Sequence, residues 1–172
     1  MKKSLIVALA VIMAGTMTAC GMGDVGGASS TATSQAASSA VVSQISADAM
    51  DDNLAGLEKY LAANSFISGQ PVQMQPEFIG AKSGAKYQFG FDGNNNVTVE
   101  LYEYDTANLN DTAKSMISEV KSKGKYSIMG QEVAAVLSDS GKYLMIYKDS
   151  AAADKNKAHQ QEVTKLFQGF KK

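Results

Sequence analysis

Lys86-Tyr87-Gln88-Phe89-Gly90-Phe91-Asp92-Gly93-Asn94-Asn95-Asn96-Val97-Thr98-Val99-Glu100-Leu101-Tyr102-Glu103-Tyr104 is the stretch that decides the fold. In its first limb Tyr87, Phe89 and Phe91 alternate with Gln88 and Gly90; in its second Val97, Val99 and Leu101 alternate with Thr98, Glu100 and Tyr102. A period of two is that of a strand whose side chains point alternately to opposite faces of a sheet. Between the limbs, Asp92 to Asn96 supplies residues that tolerate positive φ. The stretch predicts a hairpin with strands over 86–91 and 97–104 and one covered face.

Working outward, Ser46 is placed to cap a helix whose Met50, Leu54, Leu57 and Leu61 recur at helical spacing, with Asn64 at its end. Both prolines, Pro71 and Pro76, fall between Phe66 and Gly84, which predicts a loop with a short strand near Val72 to Met74. Downstream, Asn110 or Asp111 opens a helix whose Ala113, Met116, Ile117 and Val120 form one stripe, and Lys121, Lys123 and Gly124 end it. Strands over 126–129, 132–137 and 143–148 follow, and a last helix from about Asp154 shares Val163, Leu166, Phe167 and Phe170 on one face. The order helix, hairpin, helix, meander, helix is that of an α+β domain. It has an antiparallel sheet of about five strands, with the helices packed on one face. Laying Asp105 on Asp149 superposes two strand-to-helix runs at an offset of about 44 residues, which fits either a duplicated unit or the common grammar of such connections.

The amino terminus has a different composition. Lys2 and Lys3 precede an apolar run from Leu5, and small residues lead to Cys20, the single cysteine. This is the layout of a secretory signal. The apolar stretch of about fifteen residues falls short of the ~20 that span a bilayer. Met17-Thr18-Ala19-Cys20-Gly21 resembles the lipobox of bacterial lipoproteins, which implies that the cysteine is acylated with diacylglycerol and the leader is cut before it. From Gly21 onward the chain is almost wholly Gly, Ala, Ser, Thr and Gln, a composition that buries too little apolar surface to offset the entropy of ordering. The expected organisation is a signal peptide over 1–19, a lipidated cysteine and flexible tether over 20–45, and one α+β domain over 46–172. With the leader, the runs Ile79-Gly80-Ala81-Lys82, Val99-Glu100-Leu101-Tyr102-Glu103-Tyr104-Asp105 and Tyr143-Leu144-Met145-Ile146-Tyr147 resemble small uncharacterised lipoproteins of Gram-positive bacteria. That resemblance implies a place on the outer face of a membrane and lends nothing to mechanism.

All sixteen basic residues are lysine, against seventeen acidic ones. The absence of arginine removes the side chain best suited to bidentate recognition of phosphate or guanine, so no nucleic-acid partner is expected. Asp92-x-Asn94-x-Asn96 with Glu103 has the oxygen spacing of a calcium loop, but Val97 stands where that loop needs glycine, and a hairpin turn accounts for these residues. A single histidine, His159, on a helix among lysines and glutamines reads as solvated. It cannot supply a zinc site, and no triad or phosphate loop is visible. No cofactor or metal is expected, and Met116, Met129 and Met145 fall at expected core positions, as gap-fillers rather than a metal-binding or peptide-binding surface. Tyr102 and Tyr104 share a pleat face with Glu100, a surface able to stack on a sugar or hold a peptide unless other segments cover it. The leading expectation is a membrane-anchored, extracytoplasmic, non-enzymatic protein that binds a protein or cell-wall partner. The alternative is a small-ligand or solute-handling accessory with a pocket between the sheet and the 66–84 segment, and a hydrolase using Glu100, Glu103 or Asp105 comes third.

Overall fold

The computed structural model describes residues Gln44–Lys172. Cys20, the leader over 1–19 and all but the last two residues of the expected tether lie outside the described residues. Where the description begins, the Ile45 N–H donates to Asn64 Oδ1 at 3.0 Å and Asn64 Nδ2 donates back to the Ile45 carbonyl, clasping the chain to the first helix.

The elements are α1 (Leu54–Ala63), β1 (Val72–Gln73), β2 (Ser83–Phe89), β3 (Val97–Glu103), α2 (Asp111–Lys123), β4 (Lys125–Ile128), β5 (Gln131–Ala134), β6 (Val136–Leu137), β7 (Tyr143–Asp149) and α3 (Asp154–Gln168), with short 3-10 turns at Ala47–Ala49 and Pro76–Ile79. The expected α+β class holds: a five-stranded antiparallel sheet in the order β1-β2-β3-β7-β6, and a separate β4-β5 hairpin. The hairpin that opened the reading pairs Tyr87 with Val99 and Phe89 with Val97. Its first strand runs three residues earlier than the alternation predicted and ends at Phe89. Phe91 pairs instead with a side chain: its N–H donates to Asn96 Oδ1 at 3.0 Å, and Asn96 Nδ2 donates to its carbonyl at 2.9 Å. The asparagine amide thus stands in for a strand neighbour, so the chain turns without orphaning the backbone of Phe91.

Two apolar clusters lie on opposite faces of the sheet. On the first, Ala85, Tyr87, Phe89, Val97, Val99, Leu101, Tyr143, Met145 and Tyr147 pack against Leu57 and Leu61 of α1 and Val163 and Phe167 of α3. On the second, Tyr102, Leu144 and Ile146 pack against Ala113, Met116, Ile117 and Val120 of α2. The expectation that all helices gather on one face is therefore corrected: α1 and α3 cover one face and α2 the other. The physical reason is β7. Tyr143-Leu144-Met145-Ile146-Tyr147 is buried at every position, and a strand apolar at both alternations needs cover on both sides.

Three local expectations also change. Ser46 caps only the 3-10 turn, accepting from the Asp48 N–H at 3.2 Å, while Asn53 caps α1 by accepting from the Gly56 N–H at 2.8 Å. The strand expected over 132–137 divides at Ala135, whose N–H donates to the Gly124 carbonyl at 3.0 Å; β5 stays with β4, and β6 joins β7. The superposable runs are not symmetric halves. β3 and β7 pair antiparallel, so a two-fold axis normal to the sheet would put both following helices on one face, whereas α2 and α3 lie on opposite ones. The Asn110 cap, the buried stripe of α2 and the left-handed Gly124 end at φ 66° stand where the sequence put them.

Candidate functional site

α2 reaches only part of the second face. Where its cover stops, a groove of about 490 Å³ opens between the Pro76–Ile79 turn and the β4-β5 hairpin, with β3 and β7 as its floor. Glu100 and Tyr102 come from β3, Ile146 and Lys148 from β7, Phe78 from the 3-10 turn and Met129 from the hairpin tip. Glycine at position 84 lets the Tyr102 ring lie flat on β2, since a Cβ there would sit 2.8 Å from Tyr102 Cδ1. The ring is held and its hydroxyl is aimed: Tyr102 Oη donates to Glu100 Oε2 at 3.1 Å. Burial, then the Glu100 carboxylate, pushes the Tyr102 hydroxyl well above its usual range, so it remains a donor. The Tyr126 hydroxyl is raised for the same two reasons.

Of the residues expected to form a ligand surface, Glu100 and Tyr102 meet in this groove and Tyr104 does not. Tyr104 is fully buried in the α2-side cluster, and its hydroxyl has no hydrogen-bond partner among the described residues. An exposed Tyr102–Tyr104 pair is thereby corrected. The 66–84 segment contributes Ile79 and Ala81 to the covering cluster, but α2 and Tyr126 contribute more of it. Phe78 and Lys148 were not singled out by the sequence reading, and Met129, expected with Met116 and Met145 at core positions, is corrected: Met116 and Met145 are buried, but Met129 stands at the surface. Met129 had a signal, as a large apolar residue in a two-residue turn with Gly130, where type I′ geometry favours Asn or Asp. Its φ is 50° and it is 90% exposed; Phe78, across the groove, is 63% exposed.

The three carboxylates suggested for hydrolysis do not converge. Glu103 is 4% exposed and faces the α1 side, where its Oε2 accepts from the Leu54 N–H at 2.9 Å and from Ser83 Oγ at 3.4 Å. Lys82 and Lys142 lie 3.5 and 3.7 Å from its Oε1. It therefore tethers β3 to the positive end of α1. Asp105 organises the turn after β3, accepting from Asn108 Nδ2 at 3.0 Å and the Ala107 N–H at 3.2 Å; these bonds, Asn108 first, hold its carboxyl below the usual value. Only Glu100 lines the groove.

The calcium-like spacing is likewise taken apart. Asn96 Nδ2 donates to Asp149 Oδ1 at 2.7 Å, Asp92 pairs with Lys155 at 3.1 Å, and Glu103 lies elsewhere. No group of three or more His, Cys, Asp or Glu among the described residues could hold a metal ion. His159 is not solvated. It is 6% exposed, set among the rings of Phe66, Phe91 and Tyr147. Burial, only partly opposed by Glu162 and Asp149, keeps its pKa below the ordinary histidine value. Other clefts occur, including a larger one of about 670 Å³ beside Tyr60, but its wall begins at Gln44, the first described residue. The chain matches no protein-family model, no curated protein and no solved structure.

Proposed function

We propose that this chain is an extracytoplasmic lipoprotein, anchored to a membrane through acylated Cys20, whose folded body binds a ligand and does not catalyse a reaction. The lipobox resemblance supports the anchor, because two or more acyl chains on one cysteine give stable residence where one gives only marginal residence. One observation supports the binding role above the rest. Phe78 and Met129, both exposed, flank a groove floored by Tyr102 and Glu100. Exposed apolar side chains gathered around a polar floor mark interaction sites, whereas single ones scattered over a surface do not.

The groove favours the small-ligand role over the protein or cell-wall partner expected first. Its volume of about 490 Å³ lies in the range of small-molecule sites. It also lies between the sheet and the 66–84 segment, where the small-ligand reading placed its pocket. Metabolic labelling with a fatty-acid analogue tests the anchor: the native chain takes up label, and Cys20→Ala loses it and is released as soluble protein. A mature amino terminus without lipid would overturn that half. Thermal-shift screening of the full chain tests the other half, since a ligand at 100 times its Kd adds about 2.7 kcal/mol of stability. Small-molecule hits that shift the native chain and Phe78→Ser alike would place binding outside the groove.

A further inference from the structure

Resting on the reading of this groove as a ligand site, we infer that its ligand is a short apolar peptide with both termini free. Its ammonium is held by Glu100, its carboxylate by Lys148, and its side chains lie between Phe78 and Met129.

The argument begins with charge. Glu100 has the Tyr102 hydroxyl as its hydrogen-bond partner, and that bond occupies Oε2, leaving Oε1 open among the described residues. Neither Glu100 nor Lys148 belongs to any of the ion pairs among the described residues. Both line the same groove. A carboxylate alone would select a simple cation, but Lys86 stands directly opposite Glu100 on β2 and Lys148 diagonally from it on β7, where Glu100 pairs with Ile146 and Thr98 with Lys148. A cation without an anionic group would meet the Lys148 ammonium in the same groove as the carboxylate, with Lys86 on the neighbouring strand. A ligand carrying both signs complements the set.

Spacing narrows the class. Residues diagonal across an antiparallel pair lie about 7–8 Å apart. That separation fixes where the two side chains start, and an extended ligand of two or three residues, at about 3.3–3.6 Å per residue, is long enough to place one terminus beside each of them. The walls supply the rest. Phe78 and Met129 are the exposed apolar residues on either rim, and Ile128 and Val133 continue the apolar surface between them. Methionine accommodates varied apolar shapes through its flexible thioether, which points to selection by termini and length more than by side-chain identity. Met129 also occupies a left-handed conformation that glycine or asparagine adopts at less cost. Such strain at an exposed position has no packing gain to offset it within the described residues.

The test uses phenylalanyl-leucine and its N-acetyl and C-amide derivatives, titrated calorimetrically into the full chain in detergent. The free dipeptide is expected to bind, with each blocked form roughly tenfold weaker or more, the size of one lost charge-assisted contact. Glu100→Gln should erase the penalty for acetylation and leave that for amidation, and Lys148→Gln should do the reverse. Equal binding of all three forms, weakened alike by Phe78→Ser, would overturn the terminus recognition while leaving the groove as a ligand site. Absence of binding by all three would overturn the peptide inference, and the thermal-shift screen would still decide whether the groove takes another ligand.

Discussion

The two faces of the central sheet are built from the same strands and finished differently. On the first, α1 and α3 close over an aromatic and aliphatic layer in which Phe170 lies 5.2 Å from Tyr60 and 5.3 Å from Tyr143, ring centre to centre. Two of its tyrosine hydroxyls are anchored outward, Tyr143 donating to Asp52 at 2.7 Å and Tyr87 to Glu58 at 2.9 Å, whereas that of Tyr147 is buried without a partner among the described residues. On the second, α2 closes only part of the face, Tyr102 and Ile146 line the groove beyond it, and Gln88 and Lys148 remain exposed. β3 serves both, with Val97, Val99 and Leu101 on one side and Glu100 and Tyr102 on the other. The first face is closed by two helices, and the half-closed face leaves above its floor the groove proposed as the ligand site.

Deleting packing from the closed face should have the largest effect. Phe167 is fully buried, and Phe167→Ala is expected to cost about 3–5 kcal/mol, the usual penalty for a large-to-small change in a core. Denaturant titration measures it; a loss below 1 kcal/mol would mean that α3 does not close that face. Glu103→Ala should follow at about 1–3 kcal/mol, because the Leu54 N–H loses its buried acceptor. Glu103→Gln keeps an acceptor and should recover part of the loss. If neither change alters stability, the link between β3 and α1 is dispensable.

What was legible in the sequence follows the same division. Periodicity located the strands and helices because Val97-Val99-Leu101 and Ala113-Met116-Ile117-Val120 each report a single buried face. It misjudged the number of covered faces. The alternation in β3 stops being polar at Tyr102, and Tyr143 to Tyr147 is apolar throughout; these runs ask for a second layer without naming the helix that supplies it. His159 was misread because its sequence neighbours are polar, whereas burial is decided by Phe66 and Phe91 from distant segments. In the groove, Glu100 and Tyr102 were found through their shared strand. Phe78, Met129 and Lys148 come together only through the sheet order and the placement of the second hairpin.

His159 gives the comparison a pH dependence confined to the closed face. Burial keeps its folded-state pKa below the ordinary 6.5, so the unfolded chain binds more protons as pH falls through that value. Stability is then fully present above the unfolded pKa and declines between it and the lower folded one, where both states are protonated and the loss stops. His159→Phe should remove this decline while the acid response of the carboxylates persists at lower pH. Equal pH slopes for the two proteins between 7 and the onset of carboxylate titration would show that the imidazole is hydrated.

The smallest stability changes belong to the open face, where they separate folding from binding most sharply. Met129 holds φ 50° while 90% exposed. A left-handed conformation costs a non-glycine residue about 1–2 kcal/mol, partly returned as the lower unfolded-state entropy relative to glycine. Met129→Gly should therefore raise stability by up to about 1 kcal/mol in thermal or denaturant unfolding while weakening dipeptide binding. Glu100→Gln should leave stability within about 0.5 kcal/mol, as for other surface changes, and alter only the preference between free and acetylated termini. Opposite signs for stability and affinity at Met129 would mean that the hairpin tip keeps its strain for the sake of what it touches. A loss of stability there would instead make Met129 a packing residue, and the groove would then lose one of its two apolar walls.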